Sequence, residues 1–493
     1  MGIIGSLKDM FTARNVVKKK QKQRGFDAAK SSRLYDFFSS TKSADSELRF
    51  DMRQLRDRCR DLARNNDYAK KYISLMKTNV VGEFGISMQS RARNDDRSLD
   101  RVANSILEEQ WKAWGKKGNC TIDGKLSFID CQSMVMEQLA TEGECLIQII
   151  RDSNLPWGFA LKFLDNDMLD EGLNERASNG NEIRMGVEED DNGKVVAYWL
   201  WTQHPFDDVV RKPSQNKRVR VPAEQILHIY RQERPNQTRG IPPMVTAILD
   251  LKQLNGYIEA ELVAARVAAA KMGFFTSEKG DEYVGEGTDE EYNQTMNAEA
   301  GVFEQLPEGM NFQTFDPQHP TGQFASFIKQ IIRSVASGLQ VSYASLSNDL
   351  ESVNYSSIRQ GALEERHYFR AEQRFLIEHF LQPIFEAWLL MAMTKGKVNL
   401  PAFKFDKFAN PHWQPRGFGN IDPLKETQSQ ILGLNNGIMS LQDIASLHGR
   451  DVESLFEQLQ QEKDLAASMG IDLAFQPFGQ NAALQQEEEK DED

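Results

Sequence analysis

The amino-acid sequence predicts an α+β fold that is predominantly helical. Apolar residues recur at the spacing of an α-helix through three long stretches, at 48–78, 244–272 and 358–394. Strand patterns are shorter, and the clearest is a hairpin formed by 183–188 and 195–201 around the turn signal Asn192-Gly193. No internal repeat is evident, so the sequence favours one mixed fold over a repeat array.

The composition is that of a folded chain with more than one core. The sequence has 493 residues, of which 40% are hydrophobic and 27% are charged, and its formal net charge is -13. Tight non-specific binding of nucleic acid needs many Lys and Arg side chains to displace the counterions of the phosphates. The charge therefore excludes a general nucleic-acid binder, although it allows a protein that guides DNA without gripping it.

The N-terminal half divides into an arm and a mixed region. Residues 1–45 contain a basic run at 18–24 and several serines, and they are predicted to be a flexible basic arm. Residues 46–240 are predicted to be a mixed α/β region. It has helices at 48–78, 97–116 and 127–142, the last ending at Gly143, and strands at 80–86 and 145–150.

The C-terminal half is predicted to consist of long helices around a small insert. We expect these segments, in chain order: a helix at 241–272, a strand-and-loop insert at 273–321, an amphipathic helix at 322–339, a loop at 340–356, a long helix and its continuation at 357–426, a helical bundle at 427–475, and an acidic disordered tail at 476–493. The long helix is expected to bend at Pro383.

Neither a disulfide framework nor a membrane segment is expected. The four cysteines have neither CxxC spacing nor the density of a secreted scaffold, so buried, reduced thiols in a cytosolic compartment are predicted. No apolar run approaches the roughly 20 residues that span a bilayer.

Motifs for cofactor and metal chemistry fail on spacing or on residue type. The run Gly118 to Lys125 has a spacer too long for a phosphate loop, and Leu126 replaces the hydroxyl that binds Mg²⁺. A calcium-loop pattern that starts at Glu188 has Trp199 where a bidentate acid is required. Asp165 and Asp167 could hold Mg²⁺ in a nuclease, but no acid–lysine pattern accompanies them. We therefore predict no cofactor, no metal and no enzymatic activity.

The stretch Asn354-Tyr355-Ser356-Ser357 has two interpretations. Adjacent hydroxyls near Arg359 could be a nucleophile with an anion clamp, but a nucleophile needs a base, and a continuous helix would place His367 nearly three turns away. Ser357 followed by Gln360 also fits a capping box at the start of the long helix. The helix cap is the interpretation that needs no further partner, and we predict it.

Separated motifs together resemble one family, the lambda-type portal proteins of tailed phages. They keep a common order along residues 45–470, and the fragments are Arg58-Asp61-Leu62-Arg64-Asn65-Asn66, Asn79-Val80-Val81-Gly82, Gly143-Glu144, Gly186-Val187-Glu188, Ala197-Tyr198, His204-Pro205, Arg234-Pro235 with Gln237, Arg239-Gly240, Asn354-Tyr355-Ser356-Ser357 with Arg359, and Ile421-Asp422-Pro423 with Lys425. The stretch 411–419 departs from the family pattern, since it lacks an aromatic pair before Asp422-Pro423.

The resemblance implies a ring, usually of twelve subunits, at the single capsid vertex through which double-stranded DNA enters and leaves. It implies that 46–240 is a wing, that 241–272 and 322–339 are the two stem helices, that 273–321 is a clip, that 340–356 is a tunnel loop, that 357–426 returns to the wing, and that 427–475 is a crown. Implied partners are DNA that slides, the terminase large subunit, major capsid and scaffold proteins, and head–tail connector proteins, without a membrane. The implied location is the virion, after assembly in the bacterial cytoplasm.

Two sets of surface residues follow as expectations. The candidates to face the DNA channel are Lys329, Arg333, Ser345, Ser347, Asn348, Asn354, Tyr355 and Ser356. Lys329 and Arg333 could form cationic belts around the ring, or they could be merely solvated or paired with acids. The candidates for docking at the clip are Glu278, Asp281, Glu282, Glu286, Asp289, Glu290 and Glu291, whose charge could equally serve solubility. A metal-dependent nuclease, or another capsid or connector component of the packaging apparatus, remains the alternative function.

Overall fold

The structure is a computed structural model, and it confirms a predominantly helical α+β fold. It describes residues 40–208, 216–269, 273–277, 287–288, 294–295, 310–314, 324–351, 355–418, 423–447, 450 and 452–471. Most of the predicted arm, the predicted acidic tail and much of the insert at 273–321 lie outside the described residues. From Ala44 onwards the chain belongs to one unit.

The stretch 48–78, predicted as one helix, contains two helices. α1 covers Ala44–Asn65 and α2 covers Asp67–Met76. Asn66 interrupts them because its backbone is extended and its side chain accepts a hydrogen bond from the Ala69 amide at 2.9 Å, which makes Asn66 the N-cap of α2.

The prediction of a strand at 80–86 is wrong. A π-helical turn, Lys77–Val81, continues α2, and Gly82 ends it with a φ of 75°. Val80 and Val81 favour a strand by propensity, but the helical turn buries both side chains in the core. The first strand, β1, begins later and covers Ser87–Gln89.

The next two helices match the predicted segments closely. α3 covers Arg101–Trp114 and α4 covers Phe128–Glu142. Ser127 and Asp130 form a capping box at the start of α4, and Gly143 ends the helix in the left-handed region with a φ of 80°. The chain enters the central strand directly after this glycine.

Two antiparallel sheets follow. A three-stranded sheet has the order β3-β2-β9, with β2 at Glu144–Arg151 in the middle, β3 at Phe159–Leu164 and β9 at Ile226–Tyr230. A five-stranded sheet follows chain order, with strands β4 Glu175–Arg176, β5 Glu182–Arg184, β6 Val187–Glu189, β7 Val195–Trp201 and β8 Arg218–Pro222. The predicted strand at 183–188 is divided into β5 and β6 because Met185 and Gly186 both have positive φ values and turn the chain.

A long helix leaves this region with only its first half packed in the core. A 3₁₀ turn, Pro243–Ala247, leads into α5, Ile248–Ala269. Ile248, Leu251 and Leu254 are buried. The described parts of the insert form two small antiparallel pairs, with strands β10 Gly273–Ser277, β11 Gly287–Thr288, β12 Gln294–Thr295 and β13 Met310–Thr314.

The chain returns along α5 through the helix α6, Phe324–Gly338. Tyr257 of α5 contacts the rings of Phe324 and Phe327, at centroid distances of 5.6 and 5.3 Å. A short helix, α7, covers Tyr343–Ser347. Two helices separated by a π-helical turn follow, α8 at Tyr355–Leu376 and α9 at Gln382–Thr394.

The π-helical turn, Ile377–Leu381, lies directly before Pro383. A proline ring collides with the carbonyl group four residues earlier and removes a helical hydrogen bond, so a widened turn accommodates it. The helical span Arg359–Thr394 is long and apolar enough to cross a membrane, contrary to the expectation from the sequence. Part of this apolar surface packs in the core, where Phe380, Phe385 and Trp388 have no exposed surface.

The C-terminal elements join the first helices in the same core. α10 covers Phe405–Phe408, and β14, His412–Gln414, pairs with β1. Indole and phenyl rings from distant parts of the chain meet there, and the residues are Trp111, Trp114, Phe128, Phe385, Trp388 and Trp413. Three more helices follow, α11 Pro423–Asn435, α12 Leu441–Leu447 and α13 Val452–Ser468. All four cysteines are buried and unpaired.

Candidate functional site

The two predicted channel cations lie on α6 and are both engaged by the segment that follows it. Lys329 Nζ is 3.0 Å from Asp349 Oδ2, and the Tyr343 hydroxyl donates to the same oxygen at 2.8 Å. The guanidinium of Arg333 lies 5.3 Å from the centre of the Tyr343 ring. The Lys329 and Tyr343 hydrogen bonds lower the pKa of Asp349 to about 2. Within one subunit, then, Lys329 is an ion-pair partner, as the second interpretation of these residues proposed.

The segment predicted as an irregular loop, 340–356, contains a helix. Ser342 caps α7 by accepting from the Ser345 amide at 3.1 Å, and Asn348 ends it with a φ of 56°. The reason is local, because a serine that caps the helix directly after it needs no long-range partner. Tyr355 and Ser356 already belong to α8, whereas Asn354 lies outside the described residues.

The serine hydroxyls of this segment make hydrogen bonds inside the subunit. Ser345 Oγ donates to Glu365 Oε2 of α8 at 2.8 Å, and the Ser342 amide donates to Glu365 Oε1 at 3.1 Å. Ser347 Oγ donates to the Tyr343 carbonyl at 2.7 Å. Glu365 therefore ties α7 to the long helix, and no motif in the sequence marks it for this role.

The predicted capping box at Ser357 and Gln360 is wrong. α8 begins at Tyr355, so Ser357 lies inside the first helical turn and not before it. The Gln360 side chain donates to Glu364 Oε1, one turn later, at 2.9 Å. The clip candidates Glu278, Asp281, Glu282, Glu286, Asp289, Glu290 and Glu291 all lie outside the described residues.

A second site is a fully buried ion pair, formed by two residues from the family-like fragments. Glu144 begins β2, and Arg239 donates to its two carboxylate oxygens at 2.5 and 2.9 Å. The Gly240 amide and His228 Nε2 add bonds to Glu144 Oε2, each of 3.1 Å. Burial alone would raise the pKa of Glu144, but the charge and hydrogen bonds of Arg239, together with His228, outweigh it and hold that pKa well below its usual range.

An outer layer of charges surrounds this pair. Arg56 of α1 is 3.5 Å from Glu144 Oε1 and 2.5 Å from Asp167 Oδ1, and its side chain is 2% exposed. Arg60, one helical turn later, donates to Glu142 and Asp167. The spacing carries one signal of this burial, since Arg56 lies one helical turn from the buried Met52, from the buried Cys59 and from Arg60.

Asp165, Asp167 and His204 come close enough to suggest a metal site, with ligand atoms within 4.8 Å of one another. The hydrogen bonds and ion pairs of these three residues do not fit a metal site. Both oxygens of Asp167 are bonded to Arg56 and Arg60, and Arg60 also reaches Asp165 Oδ1 at 2.9 Å. The Phe206 amide donates to His204 Nδ1 at 3.2 Å, so the neutral ring carries its proton on Nε2, the nitrogen that faces the acids. That nitrogen then has no lone pair for a metal.

Glu188, the start of the rejected calcium-loop pattern, is also a structural acid. Arg220 donates to it at 2.8 and 3.0 Å, Asn179 and Asn181 bond one oxygen, and the Trp199 indole bonds the other. The residue that replaces the calcium-binding acid therefore stabilises Glu188 across the β6–β7 hairpin.

Sequence comparisons place the chain beside one group of phage proteins. The family described as "Phage portal protein, lambda family" matches residues 30–373. A "Probable portal protein" of Halomonas phage phiHAP-1 is 34% identical over 457 residues, which cover 91% of this chain and 88% of the relative. "Portal protein B" of Escherichia phage lambda is 23% identical and covers 81% of each chain.

Solved structures that are similar include chains from particles of a gene transfer agent. A chain from the neck of an empty particle, computed with C6 symmetry, has a TM-score of 0.44 and 13% identity, and the match covers 80% of this chain and 93% of that one. A chain from the native virion has a TM-score of 0.43 and 14% identity, covering 81% and 93%.

Proposed function

The chain belongs to the lambda family of phage portal proteins, whose members form the ring-shaped channel for DNA at the unique capsid vertex, and we propose that twelve copies build that ring here. The family match over residues 30–373 carries the assignment. In this proposal double-stranded DNA passes through the ring during packaging and ejection. The ring is assembled in the bacterial cytoplasm and is then part of the virion.

We propose the following division of labour along the chain. Residues 46–240 serve as the wing, α5 and α6 as the stem, 273–321 as the clip, 340–356 as the tunnel segment and 427–475 as the crown. The packing of α6 along α5 through Tyr257, Phe324 and Phe327 supports a two-helix stem. The engagement of α7 by Glu365 supports a tunnel segment that is held by the long helix.

The ring is proposed to be passive, with ATP hydrolysis supplied by a terminase that docks on the acidic clip. Head–tail connector proteins would later use the same surface, and capsid and scaffold proteins would contact the wing. The paired arginines around Asp165 and Asp167 argue against a metal-dependent nuclease. Purified protein should therefore leave plasmid DNA intact with Mg²⁺ or Mn²⁺, and divalent-dependent cleavage would favour the nuclease.

Negative-stain microscopy of the purified protein tests the central proposal. Rings with a central channel are expected, and a count of subunits by native mass spectrometry should give twelve. Closed shells, or monomers that persist across salt and pH, would instead indicate another capsid or connector component.

Packaging and retention of DNA test whether Lys329 and Arg333 face the channel. If they form belts, Lys329→Ala and Arg333→Ala lower DNA retention. The matched control is Asp349→Asn, which frees Lys329 from its partner without removing its charge. Equal retention by all three variants and the wild type would show that these cations only organise the subunit.

A further inference from the structure

Three arginines converge on one phenylalanine ring beside the long helix. The guanidinium carbons of Arg366, Arg370 and Arg416 lie 5.6, 5.8 and 5.8 Å from the centre of the Phe418 ring. Each distance is within the range of a cation–π contact. Arg366 and Arg370 come from α8, whereas Arg416 comes from the segment after β14, so the convergence depends on the tertiary fold.

Local structure holds the ring and its arginines in place. Phe418 stacks on the buried Phe369 of α8, with centroids 6.4 Å apart and planes inclined by 18°. Arg416 donates to the Thr78 carbonyl and to Asn79 Oδ1, and its own carbonyl accepts from Gln373 at 3.1 Å. Phe418 and Arg416 are thus anchored to neighbouring elements, and Arg366 and Arg370 face the ring from α8.

Two of the three arginines have no carboxylate partner among the described residues. Within the described part of the chain, neither Arg370 nor Arg416 forms an ion pair with a carboxylate, although the net charge of the chain is -13. Burial and the neighbouring charges of Arg370 and Arg416 lower the pKa of Arg366, and Glu426 opposes this only in part. These cations therefore repel one another, and bound negative charge would relieve that repulsion.

A cavity of about 510 Å³ opens beside the cluster. Arg370, Arg374 and Arg416 line it, together with His412 and Asp443. Asp443 is occupied as a helix cap, accepting from the Ser440 amide at 2.9 Å and from its hydroxyl at 2.7 Å. A ligand in this cavity would therefore meet guanidinium donors on one side and a carboxylate that is already satisfied on the other.

We propose that Arg366, Arg370 and Arg416 form a binding site for phosphate groups of the DNA backbone. Planar guanidinium groups donate two parallel hydrogen bonds to a phosphate, which makes clustered arginines suited to bind it. The proposal rests on the proposed function, since it needs DNA in the ring. The proposal adds a DNA-contacting surface that is formed by α8 and Arg416. This surface is separate from the predicted stem cations Lys329 and Arg333.

The salt dependence of DNA binding tests the site. The variant is Arg366→Gln with Arg370→Gln, which leaves the structural bonds of Arg416 intact. The matched control is Arg93→Gln with Arg101→Gln, because both arginines are exposed, lie outside the cavity and are paired with Glu453 and Glu457. The control removes the same total charge as the cluster variant. Binding of a fluorescent duplex by the full-length protein is measured by anisotropy over a range of KCl concentrations.

The expected result is a smaller slope of log affinity against log salt for the cluster variant only. The slope should fall by about 0.9 for each DNA phosphate that the variant no longer neutralises. Equal slopes for the two variants, in proteins that still form rings, would overturn the proposal and leave the proposed function standing. Absence of rings in the wild type would instead count against the proposed function.

Two other outcomes would also overturn it. If the cluster variant no longer forms rings while the control does, the arginines hold a carboxylate of a neighbouring subunit. If inorganic phosphate raises the melting temperature of the wild type but not of the cluster variant, and the DNA slopes agree, the site takes free phosphate and not the DNA backbone.

Discussion

At the scale of single residues, Glu144 and Arg239 depend on each other because neither has any exposed side-chain surface. Arg239→Met keeps most of the volume but leaves a buried carboxylate without its main partner, which should lower the free energy of unfolding by about 3–5 kcal/mol. Urea unfolding at pH 7, followed by tryptophan fluorescence, measures it. Adding Glu144→Gln should recover part of the loss.

Arg374→Met is the matched control for that substitution. Arg374 is 79% exposed and pairs with Glu378 on the same helix, so its loss should hardly change the unfolding midpoint. Equal midpoints for Arg239→Met and Arg374→Met would contradict a stabilising role of the buried pair.

His228 gives this network a dependence on pH. Burial lowers the pKa of His228, although its bond to Glu144 partly opposes that effect. The unfolded histidine takes up a proton near pH 6.5, and the folded one does so only at lower pH, so the unfolded state binds more protons as the pH falls. Stability contributed by neutral His228 is present above about pH 6.5 and is lost below it. Glu144, whose pKa is also lowered, adds a further loss at more acidic pH.

His228→Gln should therefore flatten the stability profile between about pH 7 and pH 5, because an amide can donate to Glu144 without titrating. Unfolding midpoints in urea at several pH values measure the effect. A variant profile as steep as that of the wild type in this window would show that other groups cause the pH dependence.

The sequence could supply the members of this network but not their pairing. Gly143-Glu144 and Arg239-Gly240 stood out as family-like fragments, yet they are 95 residues apart and nothing local joins them. Arg56 and Arg60 were missed because arginines between apolar positions on a helix are usually solvated. Burial of a charge is a property of the whole fold, and only the three-dimensional structure shows which arginines it encloses.

At the scale of elements, the junction of α4 and β2 requires glycine for two separate reasons. Gly143 has a φ of 80°, and a Cβ atom there would overlap the backbone of Ile241. Gly193, in the β6–β7 turn, has a φ of 78° with no atom within 4 Å of such a Cβ. A comparison of substitutions at Gly143 and Gly193 therefore separates the cost of the left-handed conformation from the cost of the steric collision.

Gly143→Ala should destabilise the protein more than Gly193→Ala. The left-handed conformation costs both variants about 1–2 kcal/mol, and the collision should add about 1–3 kcal/mol at Gly143 because two backbone segments must separate. Chemical unfolding of the two variants beside the wild type measures the difference. Equal losses would mean that the backbone at Ile241 moves without cost.

Element positions were predictable where a local signal ended them, and not elsewhere. Gly143 ends α4 in the structure as predicted, and a capping box of Ser127 and Asp130 fixes its start. The start of α8 was misplaced because Ser357 resembles a cap, whereas the helix begins two residues earlier. The helix α7 was missed because its five residues are too few for a periodic pattern.

At the scale of the whole molecule, α5 bears apolar side chains that are more than half, or half, exposed in the described part of the subunit. Leu249, Leu262 and Val263 are 64%, 55% and 50% exposed. A helix that is apolar on several sides is normally buried, so a neighbouring subunit in the ring is the natural cover.

Leu262→Glu with Val263→Glu should therefore prevent ring assembly while leaving the subunit folded, because both side chains lie beyond the part of α5 that packs in the core. Negative-stain microscopy and sedimentation velocity measure assembly, and circular dichroism checks that helix content is kept. Gln253→Glu is the control, since this exposed polar residue on the same helix can accept a charge while the apolar side chains of α5 stay unchanged. Rings of normal size from the double variant would show that the outer half of α5 is not covered by a neighbour, and the stem assignment of α5 would then have to be abandoned even though the family membership stands.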